Sequence, residues 1–243
     1  MEYELTRSKR KTLAIHIKNG RVEVRAPLKM AQRDIDRFVT SKEKWITDRL
    51  ARSREQVERR EAFTLDYGDM VVYRGREYPI VAREGKYVGF DDSAVGGAAV
   101  DDKVVDDSAE GGAVFYMPPG LQPGRIKAAC VVIYRMLAKR DLTIKTLDFA
   151  KRMGENPTAV KITGAKTRWG SCSSMKSINF SWRLIMADDD VIDYVVIHEL
   201  AHLAEMNHSD RFWAIVEGVL PDFRKRKARL RELQKRLSAE DWE

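Results

Sequence analysis

The chain has 243 residues, a formal net charge of +7, two cysteines and four histidines, and this length can bury a substantial core in one or two domains. Because Cys130 and Cys172 are far apart and form no Cys-x-x-Cys pair, the composition favours neither a disulfide framework nor a cysteine zinc cluster. No segment is long and apolar enough to span a bilayer, and the N-terminus lacks a signal-like apolar run. We therefore expect a cytoplasmic protein with no membrane partner.

The first 60 residues contain a predicted hairpin followed by a predicted helix. Apolar and polar residues alternate in TLAIHIK and RVEVRAP, on either side of Asn19-Gly20, a pair favoured in tight turns. From residue 31 to 60 apolar side chains recur at helical spacing among charges. This pattern predicts one long amphipathic helix over 31–60.

Residues 61–120 are predicted to form strands around an acidic insertion. DMVVYRGREYPIVA is typical of a hairpin that turns at Arg74-Gly75, and AVFYMPPG is typical of a strand stopped by prolines. Between them, residues 91–112 are rich in Asp, Gly and Ala and offer little to pack, which predicts a flexible surface insertion. Residues 1–120 are thus expected to be a strand-rich N-terminal region.

Residues 121–243 are expected to form a second region. Helical spacing returns from Pro123 to Lys139, and AVKITGAKTRWGSCSSMKSINFSWRLIM predicts a strand, a loop and a strand. ADDDVIDYVVIHELAHLAEM then opens with three aspartates, which suit a helix N-cap and the positive end of the helix dipole, and it contains no helix breaker. This segment is predicted to be a helix.

HELAHLAEMNH, residues 198–208, holds three of the four histidines. His198 and His202 are four residues apart, so on a helix they share one face and both imidazoles can reach one metal ion. Glu199 lies about 100° around the helix, where its carboxylate can receive a proton from metal-bound water. The pattern favours one Zn²⁺ as cofactor and Glu199 as the general base.

His208 follows His198 by ten residues, which is about 15 Å along a straight helix, so the chain must turn before it. Met206-Asn207 is a plausible position for this turn, and Ser209-Asp210 for the cap of a following helix. If His208 is instead an ordinary loop residue, the third ligand would be one of three nearby carboxylates: Glu205, Asp210 or Glu217.

Three segments, HELAHLAEMNHSDRFW, TRWGSCSS and INFSWRLIMA, together resemble the YgjP-like metallopeptidase domain family, whose relatives are the WLM and SprT-like zincins. RSKRKTLAIHIKNGRVEVRAPLKM resembles its N-terminal strands. The resemblance implies an α+β, zincin-like domain with an HExxH active-site helix, and a catalytic region within 121–243. It also implies zinc ligands at His198, His202 and His208, and a catalytic Glu199. It leaves the substrate open.

A short segment before the predicted helix offers candidates for substrate binding, namely Arg168, Trp169, Gly170 and Ser171. An edge strand beside a metal site can pair with an extended peptide, and a glycine lets another backbone approach. The strand that precedes the helix is the expected edge. The alternative is structural, with Trp169 and Trp182 as core aromatics and Arg168 as a solvated side chain or a partner of Asp188–Asp190.

Three other residues with reactive side chains are expected to be structural. His16 alternates with apolar neighbours in a predicted strand. Cys172 lacks a free histidine to act as its base, so we expect a buried or half-buried thiol. Tyr194 precedes His198 by one helical turn and is expected to pack or to donate a hydrogen bond near the metal.

The favoured function is a zinc-dependent hydrolase, most simply a metallopeptidase in which Glu199 activates a water on a three-histidine zinc. In one alternative, the same metal site hydrolyses nucleoside triphosphates or other phosphate esters, held by Lys161, Lys166, Arg168 and Arg183. In another, the metal is structural and the basic segment 223–237 binds nucleic acid. The last is less favoured, because the leucines of that segment are expected to dock it on the core.

Overall fold

The structure is a computed structural model, and it describes residues 1–18, 20–93 and 112–242. Asn19 and residues 94–111, most of the expected acidic insertion, lie outside the described residues. The chain divides into two compact units, Met1–Phe63 with Lys235–Asp241 and Thr64–Gln234 with Trp242. This division by packing differs from the functional division at residue 120, which stays a prediction.

The first unit contains a three-stranded sheet and two helices. Its strands are β1 (Glu4–Ser8), β2 (Ala14–Lys18) and β3 (Arg21–Pro27), in the order β1-β3-β2. β2 and β3 are antiparallel, so the predicted first hairpin is confirmed, whereas β1 is parallel to β3. The alternation along β3 buries Val22, Val24 and Ala26, which share a core with Ile35 and other side chains of the helices.

The prediction of one long helix over 31–60 is wrong. Two helices, separated at Lys42, occupy this segment: α1 (Gln32–Ser41) and α2 (Glu43–Glu61). In a continuous helix the Phe38 carbonyl would accept from the Lys42 N–H. Instead the Ser41 hydroxyl donates to that carbonyl at 2.7 Å, and the Lys42 N–H donates to the Val39 carbonyl at 3.0 Å. A serine hydroxyl that competes for a backbone carbonyl thus accompanies the break.

The second unit contains two sheets. The four-stranded sheet has the order β4-β5-β7-β6 and consists of β4 (Met70–Tyr73), β5 (Arg76–Ala82), β6 (Gly89–Asp91) and β7 (Val114–Met117). The three-stranded sheet has the order β8-β10-β9 and consists of β8 (Ala159–Thr163), β9 (Gly170–Cys172) and β10 (Ser177–Ser181). The predicted turn at Arg74-Gly75 is confirmed, since both residues have positive φ, 50° and 74°.

The helices of the second unit pack against these sheets. They are α3 (Pro123–Met153), a 3-10 helix (Trp182–Met186), α4 (Asp189–Ala201), α5 (Asp210–Val219) and α6 (Phe223–Leu237), whose last three residues belong to the first unit. α3 packs against both α4 and the 3-10 helix, and Trp182 stacks on Tyr134 in the core. The expected α+β class is confirmed. No helix in the described part of the chain is both long and apolar enough to cross a bilayer.

Candidate metal centre

α4 carries the first four of the five residues of the HELAH motif. It begins after Asp188 and ends at Ala201, so His198 and Glu199 lie in its last turn and His202 directly follows it. The chain therefore turns earlier than Met206-Asn207, where the sequence placed the turn. The His202 Nδ1 atom lies 3.1 Å from the Glu205 carbonyl, a contact between a side chain and the backbone that closes this turn.

α5 returns the chain to the histidines. Ser209 is its N-cap, as predicted, and accepts a hydrogen bond from the Phe212 N–H at 3.4 Å. Phe212 is fully buried, and its ring centroid lies 4.5 to 4.9 Å from the centroids of all three imidazoles. Sequence reasoning assigned Phe212 only to the helix. The available signal was the apolar spacing of Phe212 and Val216, which marks the buried face of α5.

The structure brings His198, His202 and His208 together, with one potential ligand atom from each within 4.8 Å of the others. The Nε2 atoms of His198 and His208 are 3.1 Å apart. Two nitrogens bound tetrahedrally to zinc at about 2.0–2.1 Å are separated by about 3.3 Å, so the spacing fits one ion. His202 directs Nδ1 at a carbonyl, which leaves its Nε2 lone pair for a metal.

A lowered pKa favours the metal-binding form of two of these imidazoles, His198 and His208. Burial, followed by the charges of His202, His208 and Lys227, lowers the pKa of His198 to about 3. The pKa of His208 is also lowered, by burial and then by His202 and Lys227. Neutral imidazole has a lone pair to donate, whereas imidazolium does not.

Glu199 is buried beside the histidines, with 5% of its surface exposed. Burial raises the pKa of this carboxyl to about 8, and the charge of Arg168 opposes that rise. Its Oε2 atom, like Nδ1 of His198, is buried and has no hydrogen-bond partner among the described residues. Buried polar atoms are usually paired, so the unpaired Oε2 atom of Glu199 and the three converging imidazoles fit a bound divalent metal and its reactants.

β9 lies against Glu199. A Cβ atom added to Gly170 would be 2.5 Å from Oε1 of Glu199 and 2.6 Å from its Cγ, so only glycine fits there without displacing the carboxylate. β9 is an edge of its sheet, because it pairs only with β10 among the described strands. β10, the strand nearest in sequence to α4, is paired on both sides, which corrects the edge expected from the sequence.

The other candidates for substrate binding lie in and next to β9. Arg168 is exposed, and its charge acts on Glu199. Trp169 is half-buried and makes no ring contact within the described ranges, whereas Trp182 is a core residue as the structural alternative expected. Ser171 is half-buried, and its hydroxyl accepts from the Asn179 amide at 3.4 Å.

The three aspartates at the start of α4 pair with cations other than Arg168. Asp189 accepts from Arg74 and is 3.5 Å from the Lys145 ammonium, while Asp188 and Asp190 both pair with Arg229. The alternative in which Arg168 is a partner of these aspartates is therefore wrong.

The residues expected to be structural have no contact that suggests catalysis. His16 is exposed on β2. Cys172 is a half-buried free thiol, as expected, and burial together with Glu199 raises its pKa. Tyr194 stacks on Phe223, its ring centroid lies 5.9 Å from that of His198, and burial raises its pKa to about 12. Packing is thus the role that its contacts support.

One family model matches most of the chain, and two solved structures are similar to part of it. A family model described as YgjP-like, metallopeptidase domain, matches residues 11–233. The metallopeptidase zymogen abylysin of Pyrococcus abyssi is 23% identical, with a TM-score of 0.36 over 41% of this chain and 98% of its own. The metallopeptidase zymogen jannalysin of Methanocaldococcus jannaschii is 19% identical, with a TM-score of 0.34 over 40% of this chain and 97% of its own. No curated protein matches the chain.

Proposed function

Because the chain belongs to the YgjP-like metallopeptidase domain family, we propose that it is a zinc-dependent peptidase with a zincin-like catalytic region in residues 121–243. Membership of a metallopeptidase family implies a divalent metal and a peptide or protein substrate. One observation supports the site most strongly: three imidazoles converge beside a buried carboxylate that has an unpaired oxygen.

His198, His202 and His208 would hold the metal, with α4 as the active-site helix. Three imidazole nitrogens are a ligand set that zinc prefers, and they leave a coordination position open to reactants. Zinc bound there would act as a Lewis acid that polarises the scissile carbonyl and acidifies water. Phe212 packs against all three rings and the Glu205 carbonyl contacts His202, which fixes their orientation in advance.

Glu199 would move the proton. Its unpaired oxygen takes a proton from the attacking water and later passes it to the leaving amine, which requires a carboxyl whose pKa lies near the working pH. Burial, the main cause of its raised pKa, meets this requirement. Gly170 leaves the space in which the carboxylate can adopt this position.

The free edge of β9 would bind the substrate as an added strand. The Trp169 carbonyl and the Ser173 N–H bond to β10, so the alternation of an antiparallel pair directs the backbone groups of Gly170 away from β10, where an extended peptide can bond to them. Arg168 and Trp169 precede this edge and would contact the side chains or carbonyls of the peptide. In this proposal all four residues of the sequence prediction would contact the substrate.

Two observations favour a peptide over the alternative substrates. Arg183, one of four cations invoked for phosphate binding, is buried, lies over the Trp182 ring and donates to the Gly164 carbonyl at 3.1 Å. Leu230, Leu233 and Leu237 of the basic segment are buried, so they dock it as expected. Arg183 and the leucines of residues 223–237 therefore take part in packing, which favours a peptide over a phosphate ester or a nucleic acid as the substrate or partner.

The decisive experiment compares the zinc-loaded wild type with Glu199→Gln on unfolded peptides and nucleoside triphosphates, with products read by mass spectrometry. Loss of a general base costs about 10²- to 10⁴-fold in rate, so peptide cleavage should fall by that factor while one zinc per chain remains bound. Glu232→Gln makes the same chemical change on an exposed face of α6 and should cleave like the wild type. Unchanged cleavage by Glu199→Gln, or hydrolysis of triphosphates alone, would refute the proposal.

A further inference from the structure

A cleft of about 450 Å³ lies directly beside the histidine cluster, between α5 and α6. Trp213 lines this cleft and also contacts the histidine cluster. Its ring is stacked on that of His208, with centroids 5.7 Å apart, and its centroid is 5.8 Å from that of His198. A group bound in this cleft would therefore lie within one side chain of the proposed metal.

The floor of the cleft is aromatic and rigid. Trp213 and Phe223 are stacked with centroids 5.3 Å apart and planes 15° apart, and Phe223 is buried. The aliphatic part of a ligand side chain can pack on this surface, and the stacked rings lose little conformational freedom when it does.

The opposite wall is cationic. Arg224, Lys227 and Arg231 are separated by three and four residues on α6, so they project from one helix face, and all three line the cleft. Arg224 pairs with Glu217 at 2.6 Å, and the Lys227 ammonium lies 4.7 Å above the Trp213 ring. No carboxylate pairs with Lys227 or Arg231 in the part of the chain that the structure describes.

The other face of the same helix is different. Arg226 pairs with Asp222 at 3.0 Å, and Arg229 pairs with both Asp188 and Asp190. Within the described residues the protein thus supplies carboxylates to Arg226, Arg229 and Arg224, and supplies none to Lys227 and Arg231 of the cleft. Guanidinium and ammonium groups beside an aromatic floor are complementary to a carboxylate on a short aliphatic stem.

We propose that this cleft binds an acidic side chain of the peptide substrate, with its stem on Trp213 and its carboxylate between Lys227 and Arg231. The inference rests on the proposed peptidase function and adds a substrate class to it. Cleavage is then directed to bonds with Asp or Glu at one position near the scissile bond. A C-terminal carboxylate has the same chemistry and is the alternative source.

The test uses synthetic peptides that differ only in Glu or Gln at each position flanking the cleaved bond, each with a free and an amidated C-terminus. The wild type should cleave the best Glu peptide at least about tenfold faster in kcat/KM than its Gln partner, in both terminal forms. Lys227→Gln/Arg231→Gln should reduce this ratio to about one, and because the ratio is taken within one variant, any general change in its rate or zinc content cancels. The control Lys225→Gln/Lys235→Gln changes the net charge equally on exposed residues outside the cleft and should keep the ratio.

Binding of the same peptides to zinc-loaded Glu199→Gln, measured by titration calorimetry, separates the cleft from the chemistry. A tenfold preference for Glu that disappears when Lys227 and Arg231 are also changed supports the cleft, even if the wild type cleaves nothing and the peptidase proposal fails. A preference confined to free C-termini assigns the cleft to the terminal carboxylate and overturns the side-chain form. Equal binding of Glu and Gln peptides, or a preference that survives the double change, overturns the inference entirely.

Discussion

The two ends of α4 differ in whether their polar side chains have partners within the protein. At its N-terminal end three successive aspartates, Asp188 to Asp190, each have a basic partner. At its C-terminal end two buried atoms, Nδ1 of His198 and Oε2 of Glu199, have none among the described residues. Because a folded chain ordinarily pairs its buried polar atoms, the unpaired end marks where the helix meets something other than itself.

The ion pairs at the N-terminal end of α4 connect this helix to neighbouring elements of the fold. Its partners come from the β4–β5 turn, from α3 and from α6, through Arg74, Lys145 and Arg229. Individually such half-exposed pairs contribute about 0–1 kcal/mol. Together they fix the position of α4 along its axis, and so the height of its last turn relative to β9 and α5.

The largest effect is expected from removing a ligand at the unpaired end. His202→Ala should weaken zinc binding by at least about a hundredfold, since even residues behind a metal ligand commonly contribute ten- to a hundredfold. Zinc content by mass spectrometry and affinity by competition with a chelator would measure this. His16→Ala, the matched change at the remaining histidine on exposed β2, should bind zinc normally. Full zinc affinity in His202→Ala would exclude it as a ligand.

A smaller effect is expected where the unpaired carboxylate meets β9. Gly170→Ala places a methyl group in the space of Glu199, and a displacement of about 1 Å can cost about a hundredfold in kcat. Zinc content should stay at one ion per chain, because the three atoms nearest the added methyl group all belong to Glu199 and none to a histidine. Gly124→Ala adds the same methyl group where nothing lies within 4 Å, and should leave kcat unchanged. A fully active Gly170→Ala would show that Glu199 need not occupy its present position.

The smallest effect is expected at the paired end, and it depends on pH. Burial alone would raise the pKa of Asp189, but the hydrogen bonds from Arg74 and the charge of Lys145 hold it below its usual value. A lowered carboxyl pKa stabilises the fold above the unfolded pKa of about 3.9, and this stability is lost as the pH falls through the folded value. With nearly half of the side chain exposed, solvent screening limits the contribution to about 1 kcal/mol.

Asp189→Asn should therefore lower the free energy of unfolding by about 1 kcal/mol at pH 7, measured with urea, and by progressively less below about pH 4. Asp48→Asn, at an exposed position of α2, should change little at either pH. An Asp189→Asn penalty that is the same at pH 3 and pH 7 would mean that charge is not the cause.

The features that sequence analysis predicted correctly depend on contacts between near neighbours. The β2–β3 and β4–β5 hairpins follow from alternation around a turn pair, and the cap at Ser209 follows from the preference of serine for that position. The proximity of His198 and His202 was also expected from helical spacing, although His202 directly follows α4 and does not lie within it. The catalytic and ligand roles of these residues stay predictions, because geometry alone does not demonstrate them.

The features that sequence analysis missed depend on groups that compete or on partners distant in the chain. The break at Lys42 is accompanied by a bond from the Ser41 hydroxyl to the Phe38 carbonyl, and apolar spacing does not reveal such a local contact. The end of α4 at Ala201 depends on the contact of His202 with a carbonyl in the following turn. Asp189 pairs with Arg74, 115 residues earlier, and nothing in the local sequence distinguishes Arg74 from the other arginines.

The lack of a side chain at Gly170 also has an evolutionary consequence. Since any Cβ there would occupy the place of the Glu199 carboxylate, the two positions cannot drift independently. If a residue with a side chain replaces Gly170, the residue at 199 must become shorter or different. A carboxylate at 199 could then no longer reach its present position. We therefore expect these two positions, 29 apart in sequence, to be inherited as a pair.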